Sequence, residues 1–275
     1  MALEALLMYA RRGARVLRLH VNVFSREERE EIANLLATLG FRELNPPSSY
    51  RHTLAVDLKP SEEELFAALS KSARTRVREC VKKGLATVPI TDLAYAARLE
   101  QLQKEALRRT GGHTASTNWE GVLTMSRDHP SLSRVLGVFT GESLAPENMK
   151  AFGWVCNHGE TGEYRAAGSS RDGESRLPFG YAVVWEMIRW AKATGAHWFD
   201  MGGVTVSGGN DPLEGISDFK RFFSRELVEV GAEWVFEPSP LRARIANGVS
   251  GLRVQLQKSF DRCGGEGERV RPVSH

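Results

Sequence analysis

The chain has 275 residues, 41% hydrophobic and 26% charged, enough for one large or two small globular domains with an ordinary core. A net charge of +3 is too mild to mark the whole surface for nucleic acid, so any such role must reside in local clusters. Three cysteines (Cys80, Cys156, Cys263), far apart and without CxxC or Cys/His spacing, exclude a disulfide scaffold or zinc site and predict a reducing, cytoplasmic setting.

At the start, Leu3, Leu6, Leu7 and Ala10 share one helix face. Glu4 interrupts the run and the arginines follow it, unlike a signal peptide. No run of 18 apolar residues occurs, so no membrane span is expected. Val16 to Val23 alternates as a strand. The next helix is expected to be capped by Ser25, with Ile32, Leu35, Leu36 and Leu39 inward and Gly40 as its stop. After the loop NPPSS, HTLAVDL reads as a strand. One long helix is then expected, opened by a Ser61/Glu64 capping box and ended by Gly84. A strand over Ala86 to Ile90 and helices near 92–110 and 118–127 follow.

From about 132 the period becomes two. LSRVLGVFT, MKAFGWVCNHG and EYRAAGSS predict an antiparallel meander. PFGYAVVWEMIRWAKATGA is a helix bounded by Pro178 and Gly195, HWFDMGG a short strand, and ELVEVGAEWVF a final strand. A basic helix carrying Arg242, Arg244, Arg253 and Lys258 is expected near 240–260, before a frayed tail from Gly264. The expected architecture is a mixed α/β (α+β) domain with a single curved sheet flanked by helices. It is not doubly wound, because βαβ repetition and a GxGxxG turn are missing.

Between that last pair of strands lies GISDFKRFFS. On a helix, Ile216, Phe219, Phe222 and Phe223 form one apolar stripe, and Lys220 falls within it. Either its stem covers apolar surface while the charge reaches water, or its ammonium meets a substrate in a partly dry cleft. Asp200, in FDMGG, either orients an amine or acts as a base, or caps the following turn. Asp218 either binds substrate or favours the helix dipole. Lys71, Arg74, Arg78 and Lys82 follow i, i+3, i+7, i+11 spacing with Lys83 beside them, which is a phosphate track or a solvated face. The seven histidines show no paired ligand spacing, and no metal is expected.

Two segments carry a resemblance. In the first, a strand ending in Asp57-Leu58 precedes a helix with Arg74-x-x-x-Arg78 and Lys82-x-Gly84. In the second come Tyr164 with Gly168-Ser169, the Trp185 helix, Phe199-Asp200-x-Gly202-Gly203, and Gly215-Ile216 leading to Phe219-Lys220. In this order and spacing, over about 14 to 236, the chain resembles the Fem-type aminoacyltransferases. The resemblance implies a GNAT-like fold with a mostly antiparallel sheet. It also implies transfer of an aminoacyl group from charged tRNA to an amine, with no cofactor beyond that co-substrate. Lys220 would stabilise the tetrahedral intermediate, the strand from Tyr164 to Ser169 would line the acceptor cleft, and Phe219, Gly202 and Gly203 would line the substrate site. Cell-wall members of the family have two GNAT-like halves, whereas here the first begins only at its late helix and strand. The expected organisation is therefore 1–58 as a reduced first half, 59–262 as the main domain and 263–275 as a tail, with a small peptide or nucleoside-type acceptor.

Two other readings stand beside it. An acyl-CoA-dependent N-acyltransferase would need Q/R-x-x-G-x-G/A, which SSRDGESRLPFGYA breaks. A non-catalytic remnant would bind RNA or a partner without turnover.

Overall fold

The computed structural model describes residues 2–12, 16–24, 28–45, 50–110, 116–141, 143–170, 177–205 and 214–246. Ser25, Arg253, Lys258 and the tail lie outside them; helix is present at 240–246. Two compact units emerge, one from the described residues before Ser49 with those from Gly231 onward, the other from Tyr50 to Val230.

In the first unit, α1 (Ala2–Arg12), β1 (Leu19–Phe24), α2 (Arg29–Thr38) and β2 (Arg42–Glu43) join the late strand β10 (Gly231–Phe236). β10 pairs antiparallel with β1 on one side and β2 on the other. Leu7, Val23, Leu36, Phe41, Trp234 and Phe236 form its core. Leu36 points inward as expected, but Leu35 is 54% exposed, because α2 buries a narrower stripe than its leucines suggest. Gly40 ends α2 at φ +88°, a conformation that favours glycine.

The second unit holds a sheet in the order β4-β5-β6-β7-β8-β3-β9. Its strands are β3 (His52–Asp57), β4 (Ala86–Ile90), β5 (Ser133–Phe139), β6 (Met149–Asn157), β7 (Thr161–Ser169), β8 (Trp198–Val204) and β9 (Glu226–Glu229). The expected meander is present as β5-β6-β7, and every pairing is antiparallel except β7 with β8. α7 (Phe179–Ala193) has nine buried residues, among them Val183, Met187 and Ile188, in the core it shares with the sheet and neighbouring helices. On β6, Gly153 lets it come close: a Cβ there would lie 2.3 Å from Val183. α5 (Ala96–Thr110) and α6 (Trp119–Asp128) close a second cluster around Leu99, Leu123 and Phe152.

Three expectations need correction. The described strands form two sheets rather than one. ELVEVGAEWVF is two strands in different sheets, because the chain leaves one ladder at Val230 and enters the other at Gly231. The helix expected from Ser61 to Gly84 is two, α3 (Glu62–Ala68) and α4 (Lys71–Lys82). The Ser61/Glu64 box caps α3 as expected. At the break, Ser70 turns extended at ψ 152°, its side chain accepts the Ala73 N–H, and its own N–H goes to the Phe222 carbonyl. A local cap and a distant carbonyl together outweigh one continuous turn of helix.

Candidate active site

The end of β8 is shaped by one extra residue. Against β3, Thr53 faces Gly203 and Ala55 faces Asp200, so two residues of β8 oppose one of β3. Gly202 sits in this bulge at φ +71°, which a side chain would strain. Asp200 Oδ1 accepts the Gly202 N–H at 2.6 Å and also the hydroxyl of fully buried Thr53. The turn-capping role is thus visible in the geometry. Gly203 leaves room for Tyr50, since a Cβ would lie 2.4 Å from its ring.

β7 and β8 are paired only through Thr161 to Glu163 and Trp198 to Asp200. Just past that point, α8 (Glu214–Arg221) delivers Lys220. Three links tie α8 to β8 and the residue after it. Lys220 Nζ donates to the Gly203 carbonyl at 2.7 Å, Ser217 Oγ accepts the Thr205 N–H at 3.0 Å, and Arg221 donates to the Thr205 carbonyl at 3.0 Å. The ammonium also lies 5.4 Å from the centroid of the Tyr164 ring on β7.

Only 6% of Lys220 is exposed, so the alternative in which its stem covers apolar surface while its charge reaches bulk water does not hold. Burial lowers its pKa to about 8, against the opposing pull of Asp200. Burial raises the Asp200 carboxyl above its ordinary value and Glu163 adds to the rise, while Thr53, Gly202 and Lys220 oppose it. Tyr50 and Tyr164 are likewise raised, chiefly by burial.

Beside this centre is a cavity of about 570 Å³. Tyr164, Ser169 and Phe219 line it, together with Gly215 and Ile216 of α8 and the start of α7. Lys220 is not in its wall; it stands behind Tyr164. Phe219 packs edge-on to Tyr181 at 5.1 Å. Asp218 is elsewhere. It pairs with Arg221 at 2.6 Å and borders a separate cavity of about 550 Å³ with Ser70, Phe222 and Leu227.

Among solved structures the chain is similar to FemX, at 15% identity and a TM-score of 0.67, covering 86% of this chain and 76% of that one. It is also similar to the C-terminal domain of a protein named as a lysylphosphatidylglycerol synthetase from Agrobacterium fabrum. There the identity is 13% and the TM-score 0.56, covering 91% of this chain and 77% of that one. The chain has the fold of FemX. No protein-family model matches it, and no curated protein matches it in sequence.

On this FemX-like fold the cations of α4 do not form one uniform track. Lys71, Arg78, Lys82 and Lys83 are exposed, with Arg78 also 5.2 Å over the Phe66 ring. Arg74 turns back and donates to the carbonyls of Ala67 and Leu69, closing the end of α3. Sequence reasoning missed Thr53 and Tyr50. Thr53 gave no local signal, because its partner Asp200 is 147 residues away.

Proposed function

We propose that this chain is a tRNA-dependent aminoacyltransferase that joins an aminoacyl group to the amine of a small peptide or nucleoside-type acceptor. Charged tRNA is the co-substrate, and the reaction uses no further cofactor. One observation carries the reading: a buried ammonium, anchored to a strand-end carbonyl, behind a tyrosine that lines a substrate-sized cavity. The likeness in fold to FemX supports it.

In this reading the acceptor nitrogen attacks the ester carbonyl carbon, and negative charge builds on the carbonyl oxygen. Lys220, held by one N–H on the Gly203 carbonyl beside the Tyr164 ring, sets a positive field that favours that charge, which is greater in the transition state than in the ground state. The intermediate collapses as the carbon–oxygen bond to the ribose breaks. The proton lost by the amine ends on the leaving hydroxyl. Asp200 is a positioning residue: its charge favours protonated Lys220, and its oxygen fixes the Gly202 bulge beside the anchoring Gly203. Tyr164, Ser169 and Phe219 contact substrate from the cavity wall. Lys71, Arg78, Lys82 and Lys83 meet acceptor-stem phosphates.

The test supplies charged tRNA and candidate amines and detects amide products by mass spectrometry. Product is expected, and is lost when the charged tRNA is digested with RNase beforehand. Product formed from acyl-CoA without tRNA overturns the reading in favour of a CoA-dependent N-acyltransferase. Binding of tRNA without turnover for any acceptor points to a remnant.

A further inference from the structure

The cavity beside Lys220 also carries information about the group it accepts. Its wall draws apolar surface from several elements at once: Leu107 of α5, Leu177, Phe179 at the start of α7, and Ile216 and Phe219 of α8. Phe152 of β6 reaches it because Gly168 above has no side chain; a Cβ there would lie 2.7 Å from that ring. Tyr181 and Phe219 meet edge-to-face at 5.1 Å, and Phe219 meets Phe223 at 5.4 Å, which leaves an aromatic surface suited to a further ring. The polar lining comprises Ser169, Ser170, the two tyrosines and the exposed Arg109. Among the described residues, no carboxylate lines the cavity.

We infer that the aminoacyl group accepted here has an uncharged apolar side chain, aromatic or branched aliphatic, seated between Phe219, Ile216, Leu177 and the start of α7. This rests on the transferase reading and gives it a substrate class. A lysyl or arginyl side chain would bury its cation among leucine, isoleucine and phenylalanine with no carboxylate in the described wall to receive it. A glutamyl or aspartyl side chain would lose the hydration of its carboxylate against leucine and phenylalanine, with Arg109 the single charged side chain of the described wall to face it. A glycyl or alanyl group would leave the aromatic wall unfilled, and one missing methylene in such a pocket lowers kcat/KM by roughly 10- to 200-fold.

The test has two arms that fail separately. In the first, non-hydrolysable 3′-aminoacylamino-adenosine analogues bearing phenylalanyl, leucyl, alanyl, lysyl and glutamyl groups are titrated calorimetrically against the whole chain. Phenylalanyl or leucyl analogues are expected to bind at least tenfold more tightly than the other three. Equal affinities, or a lead for the alanyl, lysyl or glutamyl analogue, overturn the inference. In the second, transfer is measured from tRNA carrying the same amino acids. Apolar preference in binding without transfer from any tRNA overturns the transferase reading while upholding the preference of the cavity. Transfer led by lysyl-tRNA upholds the reading and overturns the inference. Ile216→Glu places a carboxylate on a half-exposed position in the first turn of α8, where the helix dipole favours it. It is expected to weaken phenylalanyl binding and shift the ratio at least tenfold toward the lysyl analogue. An unchanged ratio overturns the seat proposed for the aminoacyl side chain.

Discussion

Two groups of cations in the second unit show how differently one charge behaves in two settings. Along α4 and at its C-cap, Lys71, Arg78, Lys82 and Lys83 stand in solvent, where holding a positive charge costs little. On α8, Lys220 is 6% exposed, and burial has moved its pKa to about 8. A solvated lysine persists at almost any surface position without a task. A buried one survives only with partners, here the Gly203 carbonyl, the Tyr164 ring and the Asp200 charge. The buried cation is therefore the stronger evidence of chemistry, and the exposed set is evidence only of what can be attracted.

The sharpest way to break this contrast is Lys220→Met. Turnover is expected to fall by up to roughly 10²- to 10³-fold, the upper range for removing one group that stabilises the oxyanion, while tRNA binding persists. A variant with normal turnover would place Lys220 among structural groups.

The same substitution is expected to change how stability depends on pH. Between about 8 and 10.5 the unfolded chain binds a proton at Lys220 that the folded chain has released, so stability rises with pH through that window. Below it both states are protonated, and the full cost of burial is felt. Urea midpoints of wild type and Lys220→Met should converge or cross as pH rises from 7 to 10, with a differential of up to about 3 kcal/mol. Parallel curves would mean that the ammonium is not desolvated. Activity should show the opposite sign, falling above pH 8 as the ammonium is lost. In Asp200→Asn that limb should move to lower pH, because the charge that raises the Lys220 pKa is removed.

Gly202→Ala tests the backbone under the site. At φ +71° the alanine is strained by about 1–2 kcal/mol, readable as a lower thermal midpoint. An unchanged midpoint would argue against the bulge. On the exposed side, replacing Lys71, Arg78 and Lys82 together by Gln should leave turnover at saturating tRNA near wild type. The plot of log affinity against log salt should flatten by about 2–3, and an unaltered slope would remove α4 from the phosphate path. The smallest effect is expected for Arg74→Ala. It should lower stability by about 1 kcal/mol and leave the salt slope alone, since its donors go to α3 carbonyls.

The elements with strong periodicity were legible in the sequence. The meander, α7, β4 and the Ser61 cap emerge where composition places them, and the apolar stripe of GISDFKRFFS does enclose Lys220. What escaped was fixed by distant partners. Nothing in LSKSARTR reveals that the Ser70 N–H will be taken by Phe222, so the helix looked unbroken. Nothing in ELVEVGAEWVF marks the change of sheet at Gly231, because both halves have strand composition. Of the candidate residues, Tyr164, Ser169 and Phe219 share a cavity, Asp200 and Lys220 share a charge field, and Asp218 faces another hollow. Three residues adjacent in sequence, Asp218 to Lys220, thus go three separate ways, as the pitch of a helix dictates.

The break at Ser70 also has a mechanical side. Its N–H grips the Phe222 carbonyl at 3.0 Å, two residues beyond Lys220, while the first cation of α4 follows it immediately. A load that tugs on the front of α4 would travel through one peptide bond and one hydrogen bond to the turn that fixes the ammonium. Capture of a polyanion and alignment of the charge that works on it would then be parts of a single lever.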